Sequence, residues 1–275
     1  RDVLGSRGLG DVYKRQEPVA WTEFDGKNIV FTDIQKGPVM RVATYERGRL
    51  RFWTDPFEIN VSNEFHFFTP SDSVQDVTLF AKYTLRADEM FLNRMIGGTF
   101  EGSNDPDFRE KEVLYLINEK PKRLQTVVQS YSSKSYRYVR YIGPKDSHCN
   151  IAEAAFYTPN DTASLKGKVI GTPGCFQKDG SHEYTNVFDG DVTTSFDYIE
   201  PSGGWSGLDL GTPKQIGRIV YTPRSYDNYI RSGDDYELFY CARRNNWKSL
   251  GDQRSKADSL IYIKIPVNAL LLLCN

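Results

Sequence analysis

Long hydrophobic runs are missing from this sequence, which excludes a helix that crosses a membrane. Such a helix needs about 20 consecutive apolar residues, whereas the longest apolar run, residues 269–274, has only the length of a strand. The first 16 residues, RDVLGSRGLGDVYKRQ, also lack the apolar segment of a signal peptide. They resemble a spurious translation that recurs at the ends of metagenomic reading frames. We therefore expect residues 1–16 to be artefactual and disordered, and the natural amino terminus, with any targeting signal, to be missing.

Cysteine and histidine are both scarce, with four and three residues respectively. The cysteines, at positions 149, 175, 241 and 274, include no C-x-x-C pair, so the closely spaced ligands of a structural zinc site are absent. Four cysteines allow three disulfide pairings. The sequence does not decide between these pairings, and we favour buried free thiols.

The few histidines also argue against catalysis. His148 and Cys149 are adjacent, so in a strand their side chains point to opposite faces and cannot form a nucleophile–base pair. Ser181, His182 and Glu183 are contiguous in a polar loop and fail the same geometric requirement. We therefore predict that this chain is not an enzyme.

Charge is nearly balanced, with 35 Lys and Arg against 36 Asp and Glu, which gives no electrostatic basis for binding nucleic acid. Aromatic residues are abundant instead, and the 17 Tyr and 16 Phe favour strands. Turn signals separate short strand-like runs about every 8 to 12 residues, the spacing of a β-sandwich. Only residues 85–94 and 107–112 have helix-like patterns. The chain is long enough for two domains, and we predict an all-β fold of tandem β-sandwiches.

Residues 158–168, TPNDTASLKGK, are polar and rich in turn formers, and they form the best predicted domain boundary. Before it we predict a β-sandwich remnant over residues 17–90 and a second unit over residues 91–160, which can pack with the remnant as one domain. After it we predict a last domain over residues 165–275.

The stretch from Asn186 to Gly211 is the most specific motif in the chain. It reads NVFDGDVTTSFD and then, after a short loop, GGWSGLDLG. An Asp-Gly-Asp turn followed by a Trp and an alternating strand resembles the first half of a discoidin domain (factor V/VIII type C, galactose-binding-like). The resemblance implies that residues 165–275 form a discoidin-like jelly roll truncated at its C-terminus, and that residues 91–160 form the second half of another.

Residues 17–275 also resemble the C-terminal part of a family of secreted bacterial transglutaminase-like proteins. The resemblance rests on blocks such as RMIGGTFEGSNDPDF (94–108) and YRYVRYIGPKDSHCNIAEAAFY (136–157). In that family, β-sandwich modules follow a papain-like catalytic domain. The resemblance therefore implies a secreted or cell-surface location, and a missing N-terminal catalytic domain as a partner.

The discoidin resemblance also implies a structural Ca²⁺ in the Asp-Gly-Asp loop. Its ligands would be Asp189, Asp191 and Thr194, with the carbonyl of Asn186, and Ca²⁺ favours oxygen donors of this kind. The usual last ligand is an acid on a final strand, which this chain lacks. Alternatively, the carboxylates only cap their own turn. Glu153 matches that acid in the preceding block, but the block has no acidic loop of its own, so we expect a structural carboxylate there.

Two loops carry the residue types that recognise sugars, an aromatic ring for the pyranose face and polar groups for the hydroxyls. They span residues 197–205 and 223–231. We expect one of the two tyrosines in the second loop to pack inward and Trp205 to fill the core. Alternatively, the second loop is only a solvated turn. The predicted ligand-binding residues are Arg224, Tyr226, Asn228, Tyr229, Arg231, Tyr198 and Glu200.

We predict from these features a non-catalytic module that binds a glycan or another cell-surface polymer and is attached to a secreted transglutaminase-like enzyme. One alternative is a purely structural β-sandwich that packs on the missing catalytic domain and binds no ligand. A chain that is an enzyme in its own right is a third possibility, against which the lack of a Cys–His pair argues.

Overall fold

The structure is a computed structural model that describes Ala20, residues 22–23, Lys27, and residues 30–32, 34–242 and 246–275. The predicted artefact over residues 1–16 lies outside the described residues. The described chain is almost entirely β-structure, which confirms the all-β prediction. No helix within it is long and apolar enough to cross a membrane. The described residues divide into two compact units: the sandwich unit, residues 80–229, and the split unit, formed by the described residues up to Leu79 together with those from Ile230 to Asn275.

The sandwich unit contains eight strands in two sheets. They are β6 (Thr99–Ser103), β7 (Lys111–Leu116), β8 (Thr126–Gln129), β9 (Ser135–Ile142), β10 (Ile151–Tyr157), β11 (Lys168–Gly171), β12 (Trp205–Gln215) and β13 (Arg218–Pro223). The five-stranded sheet has the order β11-β12-β9-β6-β7 and the three-stranded sheet has the order β10-β13-β8, with all neighbours antiparallel.

The core of this unit combines side chains from both sheets. Phe100 and Tyr141 come from the five-stranded sheet, and Phe156 and Tyr221 come from the three-stranded sheet. The ring of Phe100 lies 6.0 Å from that of Phe156 and 5.3 Å from that of Tyr221. All four side chains are at most 2% exposed. Full burial of such a side chain contributes roughly 1.5–3 kcal/mol, so the core supports both sheets.

The predicted boundary at residues 158–168 does not separate compact units. Strands β9 and β10 precede it, and they pair with β12 and β13, which follow it. The block before the boundary and the first part of the block after it, up to Tyr229, therefore build one sandwich, whereas residues 230–275 of the predicted last domain belong to the split unit. Each block alone supplies only part of either sheet, which is the physical reason for their association. Gly207 on β12 permits a close approach, because a Cβ there would collide with the carbonyl oxygen of Val139 on β9.

The helix predicted over residues 85–94 is present as a 3₁₀ turn, Leu85–Asp88, followed by the short helix α1, Glu89–Arg94. The helix-like pattern over residues 107–112 was misleading, since this stretch contains a turn and the start of β7. Phe108 has a φ of 55°, in the left-handed region, which a right-handed helix does not allow.

Trp205 does not fill the core as we expected. It stands three residues before the core residue Leu208 on β12, and alternation along a strand places the two on opposite faces. Its half-buried ring lies 5.7 Å from the ring of Phe108 and 5.1 Å from the guanidinium of Arg140. Arg140 in turn pairs with the buried Glu101 at 2.7 Å. Trp205 thus covers a buried ion pair on the opposite face of its sheet.

The split unit has its own core of mostly aliphatic side chains, including Leu238, Leu260 and Ile265. Its strands are β1 (Ala43–Glu46), β2 (Arg49–Trp53), β3 (Phe57–Ile59), β4 (Phe65–Phe67), β5 (Val74–Leu79), β14 (Asp235–Ala242), β15 (Asn246–Arg254), β16 (Leu260–Pro266) and β17 (Leu271–Cys274). They form the sheets β15-β14-β17, β16-β5, β1-β2 and β3-β4.

All four cysteines lie within the described residues, and no disulfide links them. Cys149, Cys175 and Cys241 are buried and Cys274 is partly buried. Burial raises the pKa values of Cys149, Cys241 and Cys274. This agrees with the favoured prediction of buried free thiols, which behave as small apolar side chains.

Candidate functional site

The loop after β13 carries an arginine that a buried carboxylate holds in place. Arg224 Nη1 donates to Asp197 Oδ2 at 2.6 Å, and the Arg224 backbone N–H donates to the carbonyl of Asn150 at 2.9 Å. The guanidinium carbon lies 5.1 Å from the ring centroid of Phe91. Asp197 is 7% exposed, whereas the Arg224 side chain is 24% exposed. The pair is thus anchored, while the guanidinium still reaches solvent.

Next to this arginine, Tyr226 presents an aromatic ring to solvent. The residue is 59% exposed, and its ring centroid lies 4.9 Å from that of Phe91, which is 2% exposed. Its backbone N–H donates to Asp88 Oδ1 at 2.8 Å. The buried ring beneath it and the fixed backbone restrict the motion of the Tyr226 ring, so the exposed ring forms a supported flat surface.

Asn228 and Tyr229, two of the predicted ligand-binding residues, lie beneath the surface. Asn228 is fully buried; its Oδ1 accepts from the backbone N–H of Tyr83 at 2.6 Å, and its Nδ2 donates to Asp88 Oδ2 at 2.8 Å. Tyr229 is 6% exposed and its hydroxyl donates to the carbonyl of Pro223 at 2.6 Å. Burial raises the Tyr229 pKa. Tyr229 is therefore the tyrosine that packs inward, and both residues hold the loop in shape.

The remaining predicted ligand residues are dispersed. Tyr198 is half-buried beside Phe196, at 5.9 Å between centroids, and its backbone N–H donates to the carbonyl of His148 at 2.7 Å. Glu200 is exposed in the same loop. Arg231 belongs to the split unit, so we do not assign it to the site of the sandwich unit.

The structure adds four residues to Arg224 and Tyr226 that the sequence did not identify. A helix-like pattern over residues 85–94 contained two of them, but nothing in it indicated that they face a distant loop. The third, Asn150, is the last of three consecutive residues in the left-handed region, with φ angles of 56° at His148, 77° at Cys149 and 46° at Asn150. No local sequence pattern predicts this backbone strain. The added residues are Phe91, Arg94, Asn150 and Asp197.

The predicted calcium loop is closed by its own hydrogen bonds. Asp189 Oδ1 accepts from the backbone N–H of Asp191 at 2.8 Å, and Asp189 Oδ2 accepts from Thr194 Oγ1 at 2.8 Å. Asp191 Oδ1 accepts from Thr193 Oγ1 at 2.7 Å. The carbonyl of Asn186 accepts from the backbone N–H of Asp189 at 3.5 Å. These bonds are the turn-capping pattern of the alternative interpretation.

Glu153 supplies the acid that we expected this loop to lack. It stands on β10, and its Oε1 accepts from the backbone N–H of Gly190 at 2.8 Å. Burial of the carboxyl, and then a hydrogen-bonding contact with Asp189, raise the pKa of Glu153 to about 8. Two carboxyl groups thus meet at the loop, and a cation placed between them would relieve their repulsion.

In the described parts of the chain, no group of three or more His, Cys, Asp or Glu side chains is arranged to hold a metal ion. A cation at this loop would therefore also need hydroxyl and carbonyl oxygens. The loop carries these oxygens, because the Thr194 hydroxyl and the Asp191 carbonyl lie 3.0 Å apart beside Asp189. Hard divalent cations accept such mixed oxygen donors, so the donor set fits Ca²⁺.

One serine–histidine contact was not foreseen. His182 Nδ1 lies 3.2 Å from Ser195 Oγ and 3.3 Å from the Ser195 carbonyl oxygen. Ser195 is only 2% exposed, so its hydroxyl is closed to a substrate. The contact fixes the start of the loop that carries Asp197.

Comparisons with models of protein families, with curated proteins and with solved structures find no match to this chain.

Proposed function

We propose that the sandwich unit is a non-catalytic module that binds a glycan or another cell-surface polymer. The observation that carries this proposal is the exposed ring of Tyr226, which is braced on Phe91 beside an arginine fixed by Asp197. Sugar-binding surfaces combine a flat aromatic ring with polar groups held at fixed positions.

The polar groups beside the ring are ready to bind without rearrangement. Arg224 is held at its Nη1 by Asp197, and Asp197 also accepts from Asn150 Nδ2 at 2.5 Å. Asn228 and Asp88 fix the backbone that carries Tyr226. Ordering these groups before binding reduces the entropy that a ligand must offset. Buried supports under exposed contact residues therefore favour a binding role for this loop.

We further propose that Asp189, Asp191, Thr194 and Glu153, with the Asn186 carbonyl, hold a structural Ca²⁺. The support is the meeting of Glu153 with Asp189, which leaves two carboxyl groups in contact. When bound, the ion would balance their charge and cross-link β10 to the acidic loop. It would have no part in ligand chemistry.

The resemblance to secreted transglutaminase-like proteins supports the wider proposal that the module is attached to a catalytic domain and works at the cell surface or outside the cell. Burial of Asn228 and Tyr229 favours the alternative function, a structural module without a ligand, since fewer of the predicted ligand residues reach solvent.

Affinity electrophoresis of the whole chain in gels that contain different polysaccharides tests the binding role. We expect at least one polysaccharide to retard the chain, and Tyr226→Ala or Arg224→Ala to abolish the retardation. Tyr131→Ala is the matched control, because Tyr131 is also exposed, at 92%, but belongs to another loop of the same unit. The assignment would be rejected if Tyr131→Ala also abolishes the retardation, or if no polysaccharide retards the parent chain.

A further inference from the structure

Two arginines meet in one hydrogen-bonded network of the sandwich unit, which we call the arginine network. Arg94 Nη1 donates to Asn150 Oδ1 at 2.7 Å, and Asn150 Nδ2 donates to Asp197 Oδ1 at 2.5 Å. Asp197 Oδ2 accepts from Arg224 Nη1 at 2.6 Å. Asn150 is fully buried and Asp197 is 7% exposed. The two guanidinium groups are thus held at the ends of a link made of two fixed side chains.

The arginine network lies beside the aromatic ring of Phe91. Phe91 and Arg94 are three residues apart on α1, so they share a face of this helix. The guanidinium of Arg224 lies 5.1 Å from the centroid of Phe91. The exposed ring of Tyr226 packs on Phe91 at 4.9 Å. The arginine network and the ring proposed to contact a sugar are therefore parts of one site.

Each guanidinium keeps donors for a ligand. An arginine has five N–H donors, yet within the described residues Arg94 and Arg224 each make one side-chain hydrogen bond, through Nη1. Neither side chain is fully buried. Their other N–H groups can therefore donate to an acceptor that comes from solvent.

The nearby carboxylates are already engaged. Asp197 pairs with Arg224, whereas Arg94 contacts only the neutral amide of Asn150. Both oxygens of Asp88 accept hydrogen bonds, and Asp227 pairs with Lys82 at 3.0 Å. Arg94 thus brings a positive charge that has no carboxylate contact among the described residues, at the edge of the site.

We infer that the ligand presents an anionic oxygen group to Arg94 and Arg224 while a sugar ring lies on Tyr226. This inference rests on the proposed function and narrows it to acidic polysaccharides. Guanidinium groups bind oxyanions such as carboxylates and sulfates through paired N–H donors, which a single neutral hydroxyl cannot match. The oxyanion can be the carboxylate of a uronic acid or the sulfate of a sulfated sugar.

The test compares binding of the whole chain to four polysaccharides: polygalacturonate, its methyl ester, chondroitin sulfate and neutral galactan. Methyl esterification removes the carboxylate charge and leaves the sugar unchanged. We expect polygalacturonate or chondroitin sulfate to bind about tenfold more tightly than the uncharged polymers, as for a charged hydrogen bond. If polygalacturonate binds, a carboxylate is a sufficient oxyanion. If only chondroitin sulfate binds, which carries both a uronate and a sulfate, the sulfate is the group recognised.

Substitutions test whether the arginine network causes the preference for acidic polymers. Arg94→Gln should lower binding of the acidic polymer to the level of the uncharged ones. Arg94→Lys should also weaken acidic binding, because lysine lacks the paired N–H donors of a guanidinium. Lys122→Gln is the control, since it removes one positive charge from an exposed side chain, 83% accessible. If Lys122→Gln has the same effect as Arg94→Gln, general charge explains the preference and the inference fails.

The outcomes separate the two proposals. Equal binding of charged and uncharged polymers, still sensitive to Tyr226→Ala, overturns the inference and leaves the glycan-binding proposal standing. Binding of none of the four polymers contradicts the inference. Glycan binding as a whole is then decided by the wider polysaccharide set of the electrophoresis experiment. Should Arg94→Gln fail to fold, the comparison of polygalacturonate with its methyl ester decides the matter on the unmodified chain.

Discussion

Replacing Glu153 with glutamine should remove a pH-dependent loss of stability from the sandwich unit. Burial, and then the contact with Asp189, raise the pKa of Glu153 from its ordinary 4.5 to about 8 in the folded state. The folded state therefore binds this proton more tightly than the unfolded chain does. Because a higher folded pKa favours the protonated native state, the free energy of unfolding falls as pH rises from about 4.5 to about 8.

The size of this loss follows from the difference between the two pKa values. Each pKa unit corresponds to about 1.4 kcal/mol, which sets an upper bound of about 5 kcal/mol. The Glu153 side chain is only partly buried, so solvent screens much of the effect. We therefore expect the free energy of unfolding to decrease by about 2 kcal/mol between pH 5 and pH 9.

Urea-dependent hydrogen exchange, read by mass spectrometry on peptides from β10 and β12, measures this stability separately for the sandwich unit. The buffer contains a chelator. Glu153→Gln should lack the decrease that the parent chain shows. Glu110→Gln, which changes an exposed glutamate, is the control and should behave like the parent.

An identical pH dependence for Glu153→Gln and the parent chain in chelator would refute the reasoning. The effect of calcium on stability provides a second test of the role of Glu153. Excess Ca²⁺ should raise the stability of the parent chain at pH 8, because a ligand that binds only the native state stabilises it. Glu153→Gln should respond less. Equal melting of the parent with calcium and with chelator would reject the metal site.

Three further predictions concern the loop, the chain connection and the exposed ring. Asn228→Ala should lower the free energy of unfolding of the sandwich unit by roughly 2–3 kcal/mol in urea, because it leaves buried backbone and carboxylate partners unsatisfied; an unchanged midpoint would contradict its framework role. Cleavage at a protease site inserted between Asn160 and Asp161 should leave two fragments that co-elute in gel filtration, since paired strands lie on both sides; separate elution would contradict the single sandwich. Tyr226→Ala should leave the melting temperature within about 2 °C of the parent, as expected for an exposed side chain; a large drop by calorimetry would assign the ring a structural role.

The sequence predicted the individual strands well because alternation is a local signal. The alternating run DYELFY (235–240) lies within β14, and SLIYIKIP (259–266) contains β16. Pairing between strands is not local. Strand β10 pairs with β13, so that Phe156 lies opposite Ile219, far along the chain. The polar residues 158–168 have the composition of a linker between domains and also of a surface connection within one. Composition alone could not distinguish these two, so the predicted boundary differs from the observed units.

The site was predictable where exposure follows from polarity and unpredictable where it depends on distant partners. Arg224 and Tyr226 lie in a polar loop and do reach solvent. Asn228 belongs to the same loop but is buried, because its Oδ1 accepts a hydrogen bond from the backbone N–H of Tyr83, 145 residues away. Glu153 was expected to be structural because its own block has no acidic loop. The structure brings the Asp189 loop of the following block to it.

A glycan array probed with the whole chain tests the central claim, ligand binding by the sandwich unit, most directly. We predict that the parent chain and Tyr131→Ala bind the same set of glycans, that acidic glycans dominate this set, and that Tyr226→Ala binds none of them. Failure of the parent chain to bind any glycan, or binding that Tyr226→Ala leaves unchanged, would contradict a ligand-binding role for this surface. A parent chain that binds nothing would support the structural module instead.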